Sequence, residues 1–246
     1  MRFDSIGQRE SAHQACERVL RRAILLGTLA AGQPLPSERT LAAELGVSRL
    51  TLRAALAALD RAGMIAVRHG SRSIVRDVLR DGGPDLLAGL AGLASERGEL
   101  PALAAELLRA RRHLAHAALE TLVEHPPTAA AVRAVVAAID AMAAAGPAHG
   151  AIAQADLAVL AALLDATRSP VLRLCMNPVA AVVSGNPALC AAIFVDPANN
   201  IAAWRTLATW LTRPRASSLA RILGALAARD AATIEELKRG RHRGRS

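Results

Sequence analysis

Two arginines four residues apart, Arg49 and Arg53, follow Gly46 and Ser48 in this chain of 246 residues. On a helix that spacing puts both guanidinium groups on one face. A guanidinium fork matches the paired acceptors of guanine in the DNA major groove, a contact worth about 1–3 kcal/mol of discrimination. Ser48 and Thr51 place hydroxyls at the same helix end, where free N–H groups and the helix dipole favour phosphate. Arg39, near the start of the preceding helix, is in reach of a phosphate or a base edge. His69 and Gly70 mark the tip of a basic loop suited to the adjacent minor groove.

The elements that must position these groups are legible locally. Residues 11–27 read as a helix stopped by Gly27, and 31–36 as a turn. Ser37 is the expected N-cap of a helix running to Leu45, Gly46 the sharp turn, and Ser48 the N-cap of a helix to about Ala62. Leu52, Leu56 and Leu59 form the buried stripe of that last helix. Met64–Val67 and Ser73–Val75 read as short strands around the basic hairpin 68–72. Three helices and a basic hairpin make a winged helix-turn-helix over residues 1–76, and the whole constellation points to double-stranded DNA as partner.

Residues 77–85, with Gly82-Gly83-Pro84, read as a linker. Beyond them the chain is rich in Ala and Leu. Helices are expected over 85–95, 100–124, 128–145, 151–166, 170–183, 187–194, 198–212 and 215–238. The fold class is therefore mainly α: the winged domain, then an all-α bundle over 86–238, then a basic tail over 239–246.

Charge and composition bound the rest. Residues 1–80 hold 13 Arg against 7 acids, giving +6; residues 81–237 hold 12 Arg against 14 acids, giving −2; residues 238–246 add five bases and no acid. A cationic excess at the ends suits a polyanion partner. No apolar run reaches the roughly 18 residues of a membrane span, and no signal peptide is apparent, so a cytoplasmic, membrane-free protein is expected. Cys16, Cys175 and Cys190 are widely spaced, without a C-x-x-C motif, and read as reduced thiols. No GxGxxG, GxxxxGK, HExxH or GxSxG motif is present. An enzyme is not expected, and neither is a cofactor.

Several of these segments carry a resemblance. Pro34-Leu-Pro-Ser-Glu-Arg39, Leu41 through Arg49, Thr51-Leu-Arg53, Ala54–Leu59, Gly63 and His69-Gly70 resemble the DNA-binding domain of the GntR superfamily of bacterial transcription regulators. The resemblance implies DNA contacts from Arg39, Ser48, Arg49, Thr51, Arg53, His69 and Gly70. It also implies a homodimer on a short palindromic operator. The all-α second half is similar to the FadR branch, with Leu107-Leu-Arg-Ala-Arg111, Asp156-Leu-Ala-Val-Leu160, Phe194-Val-Asp-Pro-Ala198 and Gly83-Pro-Asp-Leu-Leu87 as the matching segments.

That branch implies an effector cavity faced by Arg111 and Asp156. Many members bind a metal there through Asp and three His, but Leu160, Leu219 and Arg241 stand at the three His positions. Leucine offers no lone pair, so no metal is expected. The effector implied is a small organic anion, with an acyl-CoA first and a carboxylate second. Arg111 should meet either that anion or Asp156, because an unpaired buried guanidinium is costly. The alternative is an architectural or constitutive DNA-binding dimer whose helical domain holds no ligand.

Overall fold

The computed structural model describes residues 10–67, 72–146 and 148–243, with side chains through residue 240. The chain divides into two compact units, Met1–Leu90 and Ala91–Ser246.

The first unit opens with α1 (Ala12–Leu25). Ser11 and Gln14 cap it reciprocally, side chain to backbone in both directions. Cys16, Leu20 and Ile24, spaced by four, face inward. Next come α2 (Glu38–Glu44) and α3 (Arg49–Arg61), separated by Gly46 at φ +65°. Leu52, Ala55, Leu56 and Leu59 of α3 are buried against α1. Each buried leucine contributes about 1.5–3 kcal/mol, so this stripe fixes how α3 presents its other side.

The strands β1 (Ile65–Ala66) and β2 (Ile74–Val75) pair antiparallel, Ile65 opposite Val75. The segment expected as a plain turn at 31–36 also joins this sheet. Pro34 bridges Ile74, the Leu35 N–H donates to the Ser73 carbonyl at 2.7 Å, and the Val75 N–H donates to the Gln33 carbonyl at 2.9 Å. Its partner lies far along the chain, which is why local turn chemistry conceals the pairing. The wing-tip residues His69 and Gly70 lie outside the described residues.

Where a linker is expected, the structure has a short helix, α4 (Val78–Asp81), and a turn of 3₁₀ helix at Pro84–Leu86. Asp77 caps α4 by accepting from the Leu79 N–H at 3.0 Å. Val78 and Leu86 pack into the first unit's core. Gly63, at φ +70°, lets α4 approach closely: a Cβ there would lie 2.0 Å from the Asp81 carbonyl oxygen.

Helix α5 (Leu87–Arg97) leads into the second unit. The helices that follow are α6 (Leu100–Glu124), α7 (Ala129–Ala144), α8 (His149–Ala166), α9 (Pro170–Gly185), α10 (Pro187–Ile193), α11 (Pro197–Leu211) and α12 (Leu219–Arg243). Caps fall where the sequence offers them: Thr128, Ser169, Asn186 and Asp196 each accept from a first-turn N–H. Leu122, Val135, Ile139, Met142, Val159 and Phe194 form the centre of the core. The stretch expected as a basic tail from 239 instead continues α12 to Arg243. Helix α8 is, by length and composition, apolar enough to cross a membrane, against the expectation of no such run. It carries Asp156 midway and packs beside α7 and α9.

Candidate functional site

The outward side of α3 displays Arg49, Leu50, Arg53, Ala54 and Ala57, all exposed. Ser48 caps the helix, its Oγ accepting from the Thr51 N–H at 3.1 Å. The Ser48 and Thr51 hydroxyls also bond each other at 2.8 Å. Between them they hold two hydroxyl protons, one committed to this bond and one left for an acceptor outside. The N–H groups of Arg49 and Leu50, at the first two helical positions, have no partner within the helix. An anion at this end meets donors and the positive end of the dipole together.

Arg53 donates its Nε–H to Glu38 Oε2 at 2.8 Å. The bond ties α3 to the first residue of α2 and leaves both terminal nitrogens of Arg53 unused among the described residues. The pair is exposed, so its worth is orientation more than stability. Arg39 and Arg49 are exposed and make no ion pair among the described residues. Ser37 repeats the Ser48 arrangement one helix earlier, capping the Thr40 N–H at 3.2 Å. Arg39, Arg49 and Arg53 thus come from adjacent elements of one helix-turn-helix, with α2 held against α3.

A second constellation lies within the helical unit. Arg111 and Arg112 of α6 both pair with Asp230 of α12, whose side chain is 2% exposed. Arg229, beside Asp230, donates to Asn200 Oδ1 at 2.6 Å. Trp204 Nε1 donates to Asp156 Oδ1 at 2.5 Å. The carboxylate that Arg111 meets is therefore Asp230 and not, as the sequence leads one to expect, Asp156. Asp156 and Arg111 still interact through space.

Three guanidinium groups share two carboxylates here, so the cluster carries an excess of positive charge. Burial pushes the Asp156 carboxyl above its ordinary value, and the Trp204 donor, Arg111 and Arg229 only partly oppose this. Burial likewise pulls Arg229 down, with Asp156 and Asp230 acting against it and Arg111 adding to it. The Arg111 Nε–H is buried without a hydrogen-bond partner among the described residues. A buried, unmatched donor in a cationic cluster is a position an anion can satisfy.

Two cavities lie elsewhere in this unit. One, of 300 Å³, runs between α8 and α9 and is lined by Leu157, Leu160, Leu164 and Met176 among others. The other, of 560 Å³, is lined by residues including Pro101, Ala105, Ile234 and Lys238. Neither is lined by Arg111 or Asp156. Leu160 faces the first cavity, and Leu219 is buried in the core. No group of three or more His, Cys, Asp or Glu converges among the described residues.

Sequence reasoning passed over Arg112, Asn200, Trp204, Arg229 and Asp230. One signal was available. Asp230 is the only acid between Leu219 and Ile234, inside a long helical pattern where a carboxylate needs a partner.

A helix-turn-helix with its arginines on the exposed face, followed by the two-stranded sheet β1–β2 that Pro34 bridges from before α2, defines a winged-helix DNA-binding domain. Residues 13–75 match the bacterial regulatory proteins of the gntR family, and the N-terminal unit is a GntR-type domain of that class. An HTH-type transcriptional regulator of Mycobacterium tuberculosis is 43% identical over a match covering 32% of this chain and 37% of that protein. The fatty acid metabolism regulator protein of Pectobacterium carotovorum is 32% identical over 59% of this chain and 58% of its own length. The chain thus spans well under two thirds of the length of these relatives. A solved structure from work on Lar of Listeria monocytogenes aligns with 97% of this chain and 99% of its own at a TM-score of 0.61. At 15% identity that likeness speaks for the two-part fold alone.

Proposed function

We propose that this chain is a DNA-binding transcription regulator of the GntR/FadR type. It acts as a homodimer on a short palindromic operator, and its operator affinity is set by an organic anion held in the helical unit. The observation that carries the reading is the outward face of α3. It combines a capped N-terminus with an Arg49 that makes no ion pair and an Arg53 whose fork is free beyond its Nε, both among the described residues. Arg39, Ser48 and Thr51 add phosphate or base contacts, and His69 and Gly70 are further DNA contacts in this reading. The test is selection of operator sequences from a random duplex pool, followed by Arg49→Ala and Arg53→Ala. Each should cost about 1–3 kcal/mol and relax preference at a guanine. Unchanged affinity and base preference in both variants removes them from recognition.

The anion would meet Arg111, whose Nε–H lacks an acceptor, with Asp156 opposite. A carboxylate, or a phosphate group of an acyl-CoA, arriving there competes with Asp230 for Arg111. That competition couples ligand to the position of α12. A relative named a fatty acid metabolism regulator favours an acyl-CoA over a small carboxylate. A ligand shifts the dimer between DNA-competent and incompetent states only by its differential affinity for the two. Operator affinity measured against acyl-CoAs and carboxylates, with Arg111→Ala as control, decides it. If every anion leaves operator binding unchanged, the second reading stands: a constitutive DNA-binding dimer. That reading is favoured by Asp230 already pairing with both Arg111 and Arg112.

A further inference from the structure

One highly exposed residue of the candidate DNA face is apolar. Leu50, at the second position of α3, is 80% exposed. Single exposed leucines are ordinary on protein surfaces. This one is set apart by its neighbours. At i+3 and i+4 on the same helix stand Arg53 and Ala54, and before it stands Arg49. It projects away from Leu52, Leu56 and Leu59, so no core of the first unit claims it. Ala54 and Ala57, also exposed, keep that side of the helix low enough for a close approach.

We propose that Leu50 is a specificity-determining residue that packs on the 5-methyl group of a thymine next to the guanine read by Arg53. The inference rests on the DNA-binding reading of α3 given above. In the major groove thymine alone offers a methyl group, and an apolar side chain distinguishes it by excluding water from both surfaces. A leucine cannot hydrogen-bond a base edge, so its only favourable partner among the groups exposed there is that methyl. The adjacent guanidinium fixes the register: Arg53 is held from behind by Glu38, and Leu50 lies one helical turn before it on the same face. Each half-site is thus expected to contain thymine beside guanine, with the methyl as a required feature.

The experiment uses the full chain and a duplex selected from a random pool. Each thymine in one half-site is replaced in turn by deoxyuridine, which removes the methyl and nothing else. For the unaltered protein, one position should weaken binding about fourfold, the loss of one buried methyl. Leu50→Ala should weaken binding to the thymine duplex by a similar factor and abolish the difference between thymine and deoxyuridine there. If the pool yields a duplex but no position responds, or if Leu50→Ala still distinguishes the two bases, the proposal is overturned while DNA binding stands. If Leu50→Ala instead changes the oligomeric state and leaves base preference intact, Leu50 is an assembly contact and the proposal fails. If no duplex is enriched at all, the DNA-binding reading falls and this inference with it.

Discussion

Replacing Asp230 by Asn tests how the helical unit is held together. Asp230 is almost wholly enclosed and accepts from two guanidinium groups, one on each carboxylate oxygen. Charge-assisted hydrogen bonds contribute about 1.5–3 kcal/mol each. Arg111 and Arg112 keep 22% and 27% of their side chains exposed, so water recovers part of their solvation once the carboxylate is neutralised. Arg229 also loses a favourable neighbour. The amide can still accept one of the two bonds. The net loss expected is about 3 kcal/mol, towards the low end for breaking a buried pair. Both tryptophans of the chain, Trp204 and Trp210, lie in this unit. Urea unfolding followed by tryptophan fluorescence therefore reports on it without interference from the winged domain. A midpoint shift worth less than about 1 kcal/mol at unchanged slope would refute the view that Asp230 anchors α6 to α12.

Three further outcomes are expected. Asp156→Asn keeps an acceptor for Trp204 but removes a carboxylate whose charged form the fold disfavours. Because the folded value is raised, the destabilisation is present above it and fades as pH falls to the ordinary carboxylate range near about 4. The variant should therefore be the more stable at about pH 8, with the gap closing on acidification; a wild type more stable at high pH contradicts this. Gly63→Ala places a Cβ against the Asp81 carbonyl and forces a non-glycine residue to φ +70°. It should cost about 2 kcal/mol or more and expose the α4 amides to hydrogen exchange, and unchanged protection there would remove the contact from the account. Elemental analysis of tag-free protein should find no stoichiometric Zn, Mn or Ni, since Leu160 and Leu219 have no donor atom; about one metal per chain, lost in Asp156→Ala, overturns it.

The first unit is legible because its signals are local. Ser37 and Ser48 stand one residue before their helices, and Gly27, Gly46 and Gly63 all adopt positive φ just past the ends of α1, α2 and α3. Helix limits in the second unit follow the Pro and Asn punctuation equally well, as at Ser169-Pro170 and Asn186-Pro187. The departures are tertiary. Asp77 offers the same cap signal as Ser48, but the glycines after it outweigh that signal until Val78 and Leu86 are seen to find a core. The partner of Arg111 is the sharper case. Asp156 and Asp230 both sit inside Ala- and Leu-rich stretches of their helices, and spacing cannot say which carboxylate α6 will face. Packing of α6 against α12 decides it.

The Glu38–Arg53 contact has a consequence for how a DNA site would be searched for. A protein moving along arbitrary sequence is held by cations that displace counterions from phosphate, and this attraction is blind to sequence. Arg53 arrives already neutralised by Glu38, so it adds little to that grip. Arg39 and Arg49 carry no such counter-charge among the described residues. The face is thereby split into cations that hold the duplex anywhere and one that gains only when a base edge matches its open fork. Removing the carboxylate with Glu38→Gln would strengthen binding to random duplex more than to operator and steepen the salt dependence. The acid on α2 would then raise selectivity by keeping the protein from lingering where there is nothing to read.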